Sequence, residues 1–201
     1  MPFATTRRSA LQLMAAGLCL PAALPAAHGA EVAGVPLPDV LQLGGSTLRL
    51  NGAGIRFKAV FKVYTAGLYL TQPASTFAQV RSTPGPKSMH ITMLRDIDAT
   101  ELGKLFSQGI QDNLERGAFG RIIPDVARMG EIFARYRQLR SGDAFRIDWL
   151  PGSGTLITVR NEAQNPPFAE AAFFDALLGI WLGPHPAEGS LKDALLGHPR
   201  T

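Results

Sequence analysis

The sequence predicts an α+β protein built on an antiparallel β-sheet. Two observations support this fold class. Apolar and polar residues alternate over several short segments in the first half of the chain, and the spacing then changes to the period of amphipathic helices. Strands that follow one another in runs, with helices in runs between them, favour an antiparallel sheet over a doubly wound one. The length of 201 residues fits one domain.

The predicted strands lie mostly in the first half of the chain. They cover residues 40–43, 47–51, 55–65, 67–71 and 88–94. Gly52-Ala53-Gly54 is interpreted as the turn between the second and third of these strands. Two later segments, residues 144–150 and 155–160, flank a Pro-Gly-Ser-Gly sequence and are expected to form a hairpin.

Helices are predicted from residue 99 onwards. Asp98 is expected to be the N-cap of a helix over residues 99–116, because Glu101 follows three positions later in a capping-box arrangement. A second helix is expected to begin at Pro124, where helices often start. The remaining predicted helices cover residues 166–181 and 189–196.

Residues 1–30 have the pattern of a secretory signal peptide. Arg7 and Arg8 precede a short apolar stretch, which is followed by prolines and small residues. We therefore expect a signal peptide over residues 1–30, a folded domain over residues 31–201, and a periplasmic location. The paired arginines also resemble the twin-arginine export signature, so this route and the ordinary secretory route stay open. An uncleaved anchor or a wrongly assigned start is the alternative.

Composition excludes several classes of function. Removal of residues 1–30 takes away two of the 20 basic residues and none of the 16 acidic ones, which lowers the net charge from +4 to +2. No basic stripe is left for a nucleic acid, so no nucleic-acid partner is expected. The one cysteine, Cys19, lies in the leader, and the histidines lack the spacing of metal ligands. We expect neither cofactor nor metal, and no stable membrane span after the leader.

Arg56 and Tyr64 are the candidate binding residues that the pattern itself offers. Both fall on the predicted strand at residues 55–65, and their even separation would place them on one face. A guanidinium binds a carboxylate through two parallel hydrogen bonds, and a phenol adds one more donor. An ordinary solvent-facing side of the strand is the alternative interpretation.

Several segments resemble the chalcone isomerase family. They are Gly52-Ala53-Gly54-Ile55-Arg56, residues 61–70 (FKVYTAGLYL), Ile91-Thr92-Met93, the hairpin at residues 152–156, residues 174–184 (FDALLGIWLGP) and Ser190-Leu191-Lys192. The resemblance spans roughly residues 35–197. It implies an open-faced β-sandwich, that is, an antiparallel sheet with helices layered on one face and a ligand cleft between them. It also implies one of three roles: closure of chalcones to flavanones, fatty-acid binding without catalysis, or the unassigned role of exported bacterial members.

The resemblance can be carried to individual positions. Arg56 matches the arginine of the plant enzymes, whereas Tyr64, next to Thr65, stands where they have a threonine. Leu102 occupies a helix position that holds tyrosine in those enzymes, and Ala176 replaces a late hydroxyl residue. The resemblance therefore implies a small apolar or amphipathic acid, such as a fatty acid, as ligand, bound without catalysis by Arg56, Tyr64, Thr65, Leu102 and Ala176. The alternative is an isomerase or intramolecular lyase acting on a phenolic or enone substrate, with catalytic residues unassigned.

Overall fold

A seven-stranded antiparallel sheet lies at the centre of the computed structural model, which describes Met1, residues 29–114 and residues 116–198. The strands of this part of the chain are β1 (Ala30–Val32), β2 (Val35–Leu37), β3 (Val40–Leu43), β4 (Ser46–Lys58), β5 (Phe61–Leu70), β6 (Lys87–Met93), β7 (Ile97–Asp98), β8 (Gln138–Leu139), β9 (Ala144–Leu150), β10 (Gly154–Val159) and β11 (Glu162–Phe168). The large sheet has the order β11-β10-β9-β6-β5-β4-β3, and every neighbouring pair is antiparallel. The predicted α+β class is confirmed.

Helices cover one face of this sheet. They are α1 (Phe77–Ser82), α2 (Ala99–Asn113), α3 (Arg116–Ala134), α4 (Ala171–Leu182) and α5 (Gly189–Leu195). The ring of Phe106 in α2 lies 5.6 Å from that of Phe133 in α3, 5.5 Å from that of Trp181 in α4 and 5.8 Å from that of Phe145 in the sheet. These contacts, edge-to-face between the helices and tilted at the sheet, join three helices and the sheet in one core.

The opposite face of the sheet is partly covered by the short hairpin of β1 and β2. Leu37 at the end of β2 lies over Gly67 of β5, where a Cβ would come within 3.2 Å of its side chain. The rings of Tyr69 and His90 pack together on this face with their centroids 4.7 Å apart. The helices of the described core lie on the other face of the sheet.

The predicted turn at residues 52–54 is wrong. β4 continues through both glycines to Lys58, and the chain reverses at Ala59 and Val60 instead. The glycines have a different purpose, because a Cβ on Gly52 would lie 2.1 Å from the carbonyl oxygen of Ala194 in α5. Close packing of α5, rather than a turn, requires glycine at this position.

Three helix boundaries also differ from the prediction. α3 begins at Arg116 and includes Pro124, which was expected to start it. The predicted helix at residues 166–181 begins only at Ala171, and the preceding residues form the edge strand β11. α2 ends at Asn113. β11 was missed because its prolines and polar residues do not alternate like a half-buried strand, and prolines are tolerated on an edge strand.

Other elements agree with the sequence. The carboxylate of Asp98 accepts a hydrogen bond from the backbone N–H of Glu101 at 2.9 Å, which confirms the N-cap of α2. The hairpin of β9 and β10 and the last helix are also present. The predicted leader lies outside the described residues except for Met1 and residues 29–30, and it stays a prediction. Within the described residues, no helix is both long and apolar enough to cross a membrane.

Candidate functional site: a cavity beneath the helices

A cavity of about 260 Å³ opens between the sheet and the helices. Its walls are mostly apolar, and its charged or polar residues include Arg56 and groups on α2 and after α4. The lining residues are Arg56, Lys58, Val63, Tyr64, Ile97, Glu101, Leu102, Leu105, Phe106, Gln108, Gly109, Asp112, Ile180, His185, Pro186 and Ala187. An apolar enclosure with a few polar groups is the usual form of a small-molecule site.

Arg56 and Tyr64 both line this cavity, but on different strands, which the sequence did not predict. They lie on neighbouring strands, β4 and β5, where they are directly opposite each other in the antiparallel register. Directly opposed residues in an antiparallel pair point to the same face. The register shifts by one residue beyond this pair, which leaves Val63 as an extra residue between Lys62 and Tyr64. The shared face is therefore correct, but it comes from strand pairing and not from even spacing on one strand.

The guanidinium of Arg56 has a partner within the protein. Its Nη1 lies 3.2 Å from Oε2 of Glu188, and this carboxylate also accepts the backbone N–H of Phe57 and the hydroxyl of Ser190. Both charged side chains are about three-quarters buried, with relative exposures of 27% and 21%. The pair satisfies a partly buried cation that would otherwise be costly. Glu188 was not predicted, because only the fold brings residues 56 and 188 together.

The hydroxyl of Tyr64 is held as a neutral donor. It accepts a hydrogen bond from Nε1 of the buried Trp181 at 2.9 Å. Burial raises the pKa of Tyr64 to about 12, so the phenol keeps its proton at neutral pH. Among the described residues, the hydroxyl proton itself has no protein acceptor. Because donation from Trp181 polarises the hydroxyl, Tyr64 is well suited to donate to an oxygen atom in the cavity.

Of the other three predicted site residues, the structure places one in the cavity and two elsewhere. Leu102 lines the cavity from α2. Thr65 follows Tyr64 on β5 and so faces the opposite side of the sheet, where it is 1% exposed. Ala176 is buried in α4 and is not part of the lining. Arg56, Tyr64 and Leu102 thus come together, whereas Thr65 and Ala176 lie elsewhere.

No group of three or more potential metal ligands of the His, Cys, Asp and Glu types occurs within the described residues. The donors that face the cavity are a guanidinium, a phenol, an amide and ammonium or imidazole groups at its edge. This set can hold an oxygen-bearing head group by hydrogen bonds, and the apolar walls can cover a hydrocarbon or aromatic body.

The fold and the site define a protein with one large antiparallel sheet and a small, mostly apolar cavity under its helices. The chain belongs to the chalcone isomerase-like family, whose model matches residues 29–197. One solved structure with the same fold is that of a fatty-acid binding protein of Arabidopsis thaliana, at 12% identity and a TM-score of 0.63, with 81% of this chain and 92% of that chain covered. No curated protein matches significantly. The family resemblance in the sequence is thereby confirmed.

Proposed function

We propose that the protein binds a small, largely apolar ligand with an acidic head group in the cavity beneath the helices, without chemical conversion. The observation that carries this proposal is the opposed pair of Arg56 and Tyr64 in the wall of an otherwise mostly apolar cavity. The Arabidopsis protein of the same fold binds fatty acids, which agrees with the proposal. We further propose that the leader directs the protein to the periplasm, where it acts as a carrier.

The head group would be held by two kinds of donor. Arg56 uses one N–H group for Glu188, and its other guanidinium donors are available to a ligand oxygen. Tyr64 adds its hydroxyl proton. A hydrogen bond to a charged group contributes about 1.5–3 kcal/mol, which corresponds to about ten- to a hundredfold in affinity. The ligand carboxylate must share or displace Glu188, so binding and the internal ion pair are coupled.

One residue in the cavity wall argues against the alternative isomerase. Leu102, which stands where the resemblance places a tyrosine in the plant enzymes, lines the cavity from α2 and has no side-chain donor. Removal of hydrogen-bond donors aimed at developing charge costs several kcal/mol of transition-state stabilisation. Turnover of a 2′-hydroxychalcone above the spontaneous rate, abolished in Arg56→Ala, would favour the isomerase instead.

The test is a calorimetric titration with decanoate and its methyl ester. We expect the acid to bind about ten- to a hundredfold more tightly than the ester, and Arg56→Ala to remove this difference. Because Arg56→Ala leaves Glu188 unpaired, the double variant Arg56→Ala with Glu188→Ala removes the repulsion as well and should still bind acid and ester equally. Arg81→Ala is the matched control, because Arg81 also pairs with a carboxylate, that of Asp175 at 3.1 Å, but does not line the cavity. Equal affinity for acid and ester in the unaltered protein would overturn the proposal.

A further inference from the structure

The reversal between β4 and β5, residues 58–62, is an apolar tip on the surface of the molecule. Val60 is 82% exposed and Phe61 60% exposed, the two most exposed large apolar side chains within residues 29–198 that the structure describes. Scattered apolar residues on a surface are normal, but two adjacent ones at the end of a hairpin form a protruding patch. We call residues 58–62 the hairpin tip.

Turn stability does not account for these residues. Two-residue hairpin turns favour Asn-Gly or Asp-Gly, because their backbone adopts positive φ angles that other residues resist. Here the turn is Ala59-Val60, and Ala59 has a φ of 53°. The sequence thus keeps alanine in a strained conformation and a β-branched residue in water, where glycine and asparagine would fold more favourably. An exposed apolar tip retained against turn preference points to a contact that it makes elsewhere.

Positive charge surrounds the apolar tip. Lys58 and Lys62 flank Val60 and Phe61 in the chain, and the guanidinium of Arg95 lies over the ring of Phe61 at 5.2 Å. Among the described residues, no carboxylate lies within 4.0 Å of the charged nitrogens of Lys62 or Arg95. Lys58 has a loose contact of 4.0 Å with Glu101. Apolar side chains ringed by basic ones match an anionic bilayer surface, which offers hydrocarbon below a layer of negative charge.

Three carboxylates lie near the tip, and each has a partner in the protein. Asp96 accepts the backbone N–H of Ser141, Asp98 caps α2, and Glu101 lies 4.0 Å from Lys58. These carboxylates line one groove together with Lys58 and Arg95 and offset their positive charge. Lys62 does not line this groove, so it is the main source of the positive charge that the tip presents to a membrane.

The tip adjoins the cavity mouth. Lys58 lines the cavity, two residues before Val60, and the half-exposed Leu105 of α2 lies in the same lining. A membrane contact through the tip would bring this opening close to the lipid headgroups. An amphipathic acid in the bilayer has its carboxylate at that depth, near Arg56 inside the mouth.

We propose that the hairpin tip inserts Val60 and Phe61 into the surface of an anionic lipid bilayer, with Lys58, Lys62 and Arg95 at the headgroups, so that the cavity exchanges its ligand with the membrane. The exchange of ligand between cavity and membrane rests on the proposed function, but membrane docking does not. Docking can be measured without any ligand in the cavity.

The first measurement is made on the full chain carrying Phe61→Trp. With vesicles of equal parts phosphatidylcholine and phosphatidylglycerol, the new indole should shift its emission to shorter wavelength and be quenched by brominated lipid, relative to the unaltered chain. Vesicles of phosphatidylcholine alone should give a weaker response, and added salt should reduce the response to the anionic vesicles. An indole at residue 61 that stays water-exposed on anionic vesicles would overturn the proposal.

The second measurement compares partitioning onto the same anionic vesicles by sedimentation. The double variant Val60→Asp with Phe61→Asp should lose at least tenfold in partitioning, and Lys62→Ala about fivefold. The control is Ile123→Asp on α3, which alters a half-exposed apolar residue away from the tip and should change nothing. Unchanged partitioning of the double variant would overturn the proposal. A second result would also overturn it: the unaltered protein is a dimer, and the double variant is a monomer that partitions onto vesicles as before. The tip would then be an interface between two copies of the chain.

Docking and ligand binding fail in different ways. If the protein binds vesicles while decanoate and its ester bind equally in lipid-free buffer, membrane docking through the tip is supported and the proposed acid site is rejected. If decanoate binding meets its expectation while the indole at residue 61 never enters the bilayer, the reverse holds. The two results are obtained from separate samples, so each proposal can be rejected alone.

Discussion

Glu188 competes with any anionic ligand for the guanidinium of Arg56. Their nitrogen and oxygen are 3.2 Å apart and both side chains are largely buried, so the internal carboxylate lowers the positive charge that a ligand meets. We expect Glu188→Gln to tighten decanoate binding by about five- to tenfold, since about 1 kcal/mol of charge compensation is removed. Glutamine keeps an oxygen for the N–H of Phe57. The methyl ester is the control and should be unaffected. Weaker binding of the acid would show that Glu188 positions Arg56 rather than competing for it.

His90 makes stability depend on pH. Burial, reinforced by Arg146, lowers the pKa of His90 from 6.5 to about 4. Because the folded-state pKa is the lower one, the unfolded chain takes up the proton first as the pH falls. Protonation of the unfolded chain at His90 therefore does not lower the free energy of unfolding above pH 6.5. It lowers this free energy progressively between pH 6.5 and about 4.

Urea unfolding can isolate this contribution. Between about pH 7 and about pH 5, the free energy of unfolding should fall by about 2 kcal/mol more in the unaltered protein than in His90→Gln, which has no group to titrate there. The nearby Asp148 has a raised pKa from burial and opposes the trend, but it is present in both proteins. An equal pH dependence in the two proteins would mean that His90 is as accessible to protons in the folded state as in the unfolded one.

At the scale of elements, the packing of α5 against β4 controls the position of Glu188. Gly52 of β4 touches the end of this helix, and a Cβ there would lie 2.1 Å from the oxygen of Ala194 and 2.7 Å from that of Leu195. We expect Gly52→Ala to displace α5, to lower the free energy of unfolding by about 1–3 kcal/mol and to alter decanoate affinity by moving Glu188.

The matched control for Gly52→Ala is Gly189→Ala. Gly189 is the first residue of α5, and a Cβ there would meet no atom within 4 Å. This substitution should change stability by no more than about 0.5 kcal/mol and leave binding unchanged. Urea unfolding and the decanoate titration measure both effects. If Gly52→Ala behaves like Gly189→Ala, the contact between β4 and α5 does not hold the site.

The same glycines show which elements the sequence could not predict. In a sequence, a glycine that allows a turn looks the same as a glycine that lets another element pack closely against the backbone. At Gly52 only the position of α5 shows that the second explanation applies. Asp98 was predictable because the N-cap interaction is complete within three residues of chain. β11 and the first half of α3 were not predictable, since an edge position and tertiary packing tolerate prolines that local rules place at boundaries.

At the scale of the whole molecule, the candidate site was predictable only in part. The paired chemistry of Arg56 and Tyr64 was visible in the sequence, and the family resemblance supplied the cavity. Glu188 and Trp181, which engage these two side chains, lie 132 and 117 residues away from them in the chain. Contacts at such separation depend on how α4 and α5 pack on the sheet, so no local pattern could reveal them.

The size of the cavity limits the ligand. Its volume of about 260 Å³ lies just below the roughly 300–1,000 Å³ of common ligand pockets, so a short or medium acid should fill it. In a series of straight-chain acids from hexanoate to hexadecanoate, affinity should rise about fourfold per added methylene while the chain is covered, because each buried methylene contributes about 0.8 kcal/mol. Beyond the covered length, the affinity should level off.

A variant that fills the cavity tests whether this limit is set by the assigned space. Ala187 lines the cavity and is partly buried, so Ala187→Leu should move the plateau to acids shorter by two or three methylenes. Ala127→Leu, at an exposed position on α3, is the matched control and should leave the whole series unchanged. Calorimetric titration of each acid gives the plateau directly. A plateau that stays at the same chain length in Ala187→Leu would place the hydrocarbon chain outside this cavity, and the lining residues would then have to be sought elsewhere on the molecule.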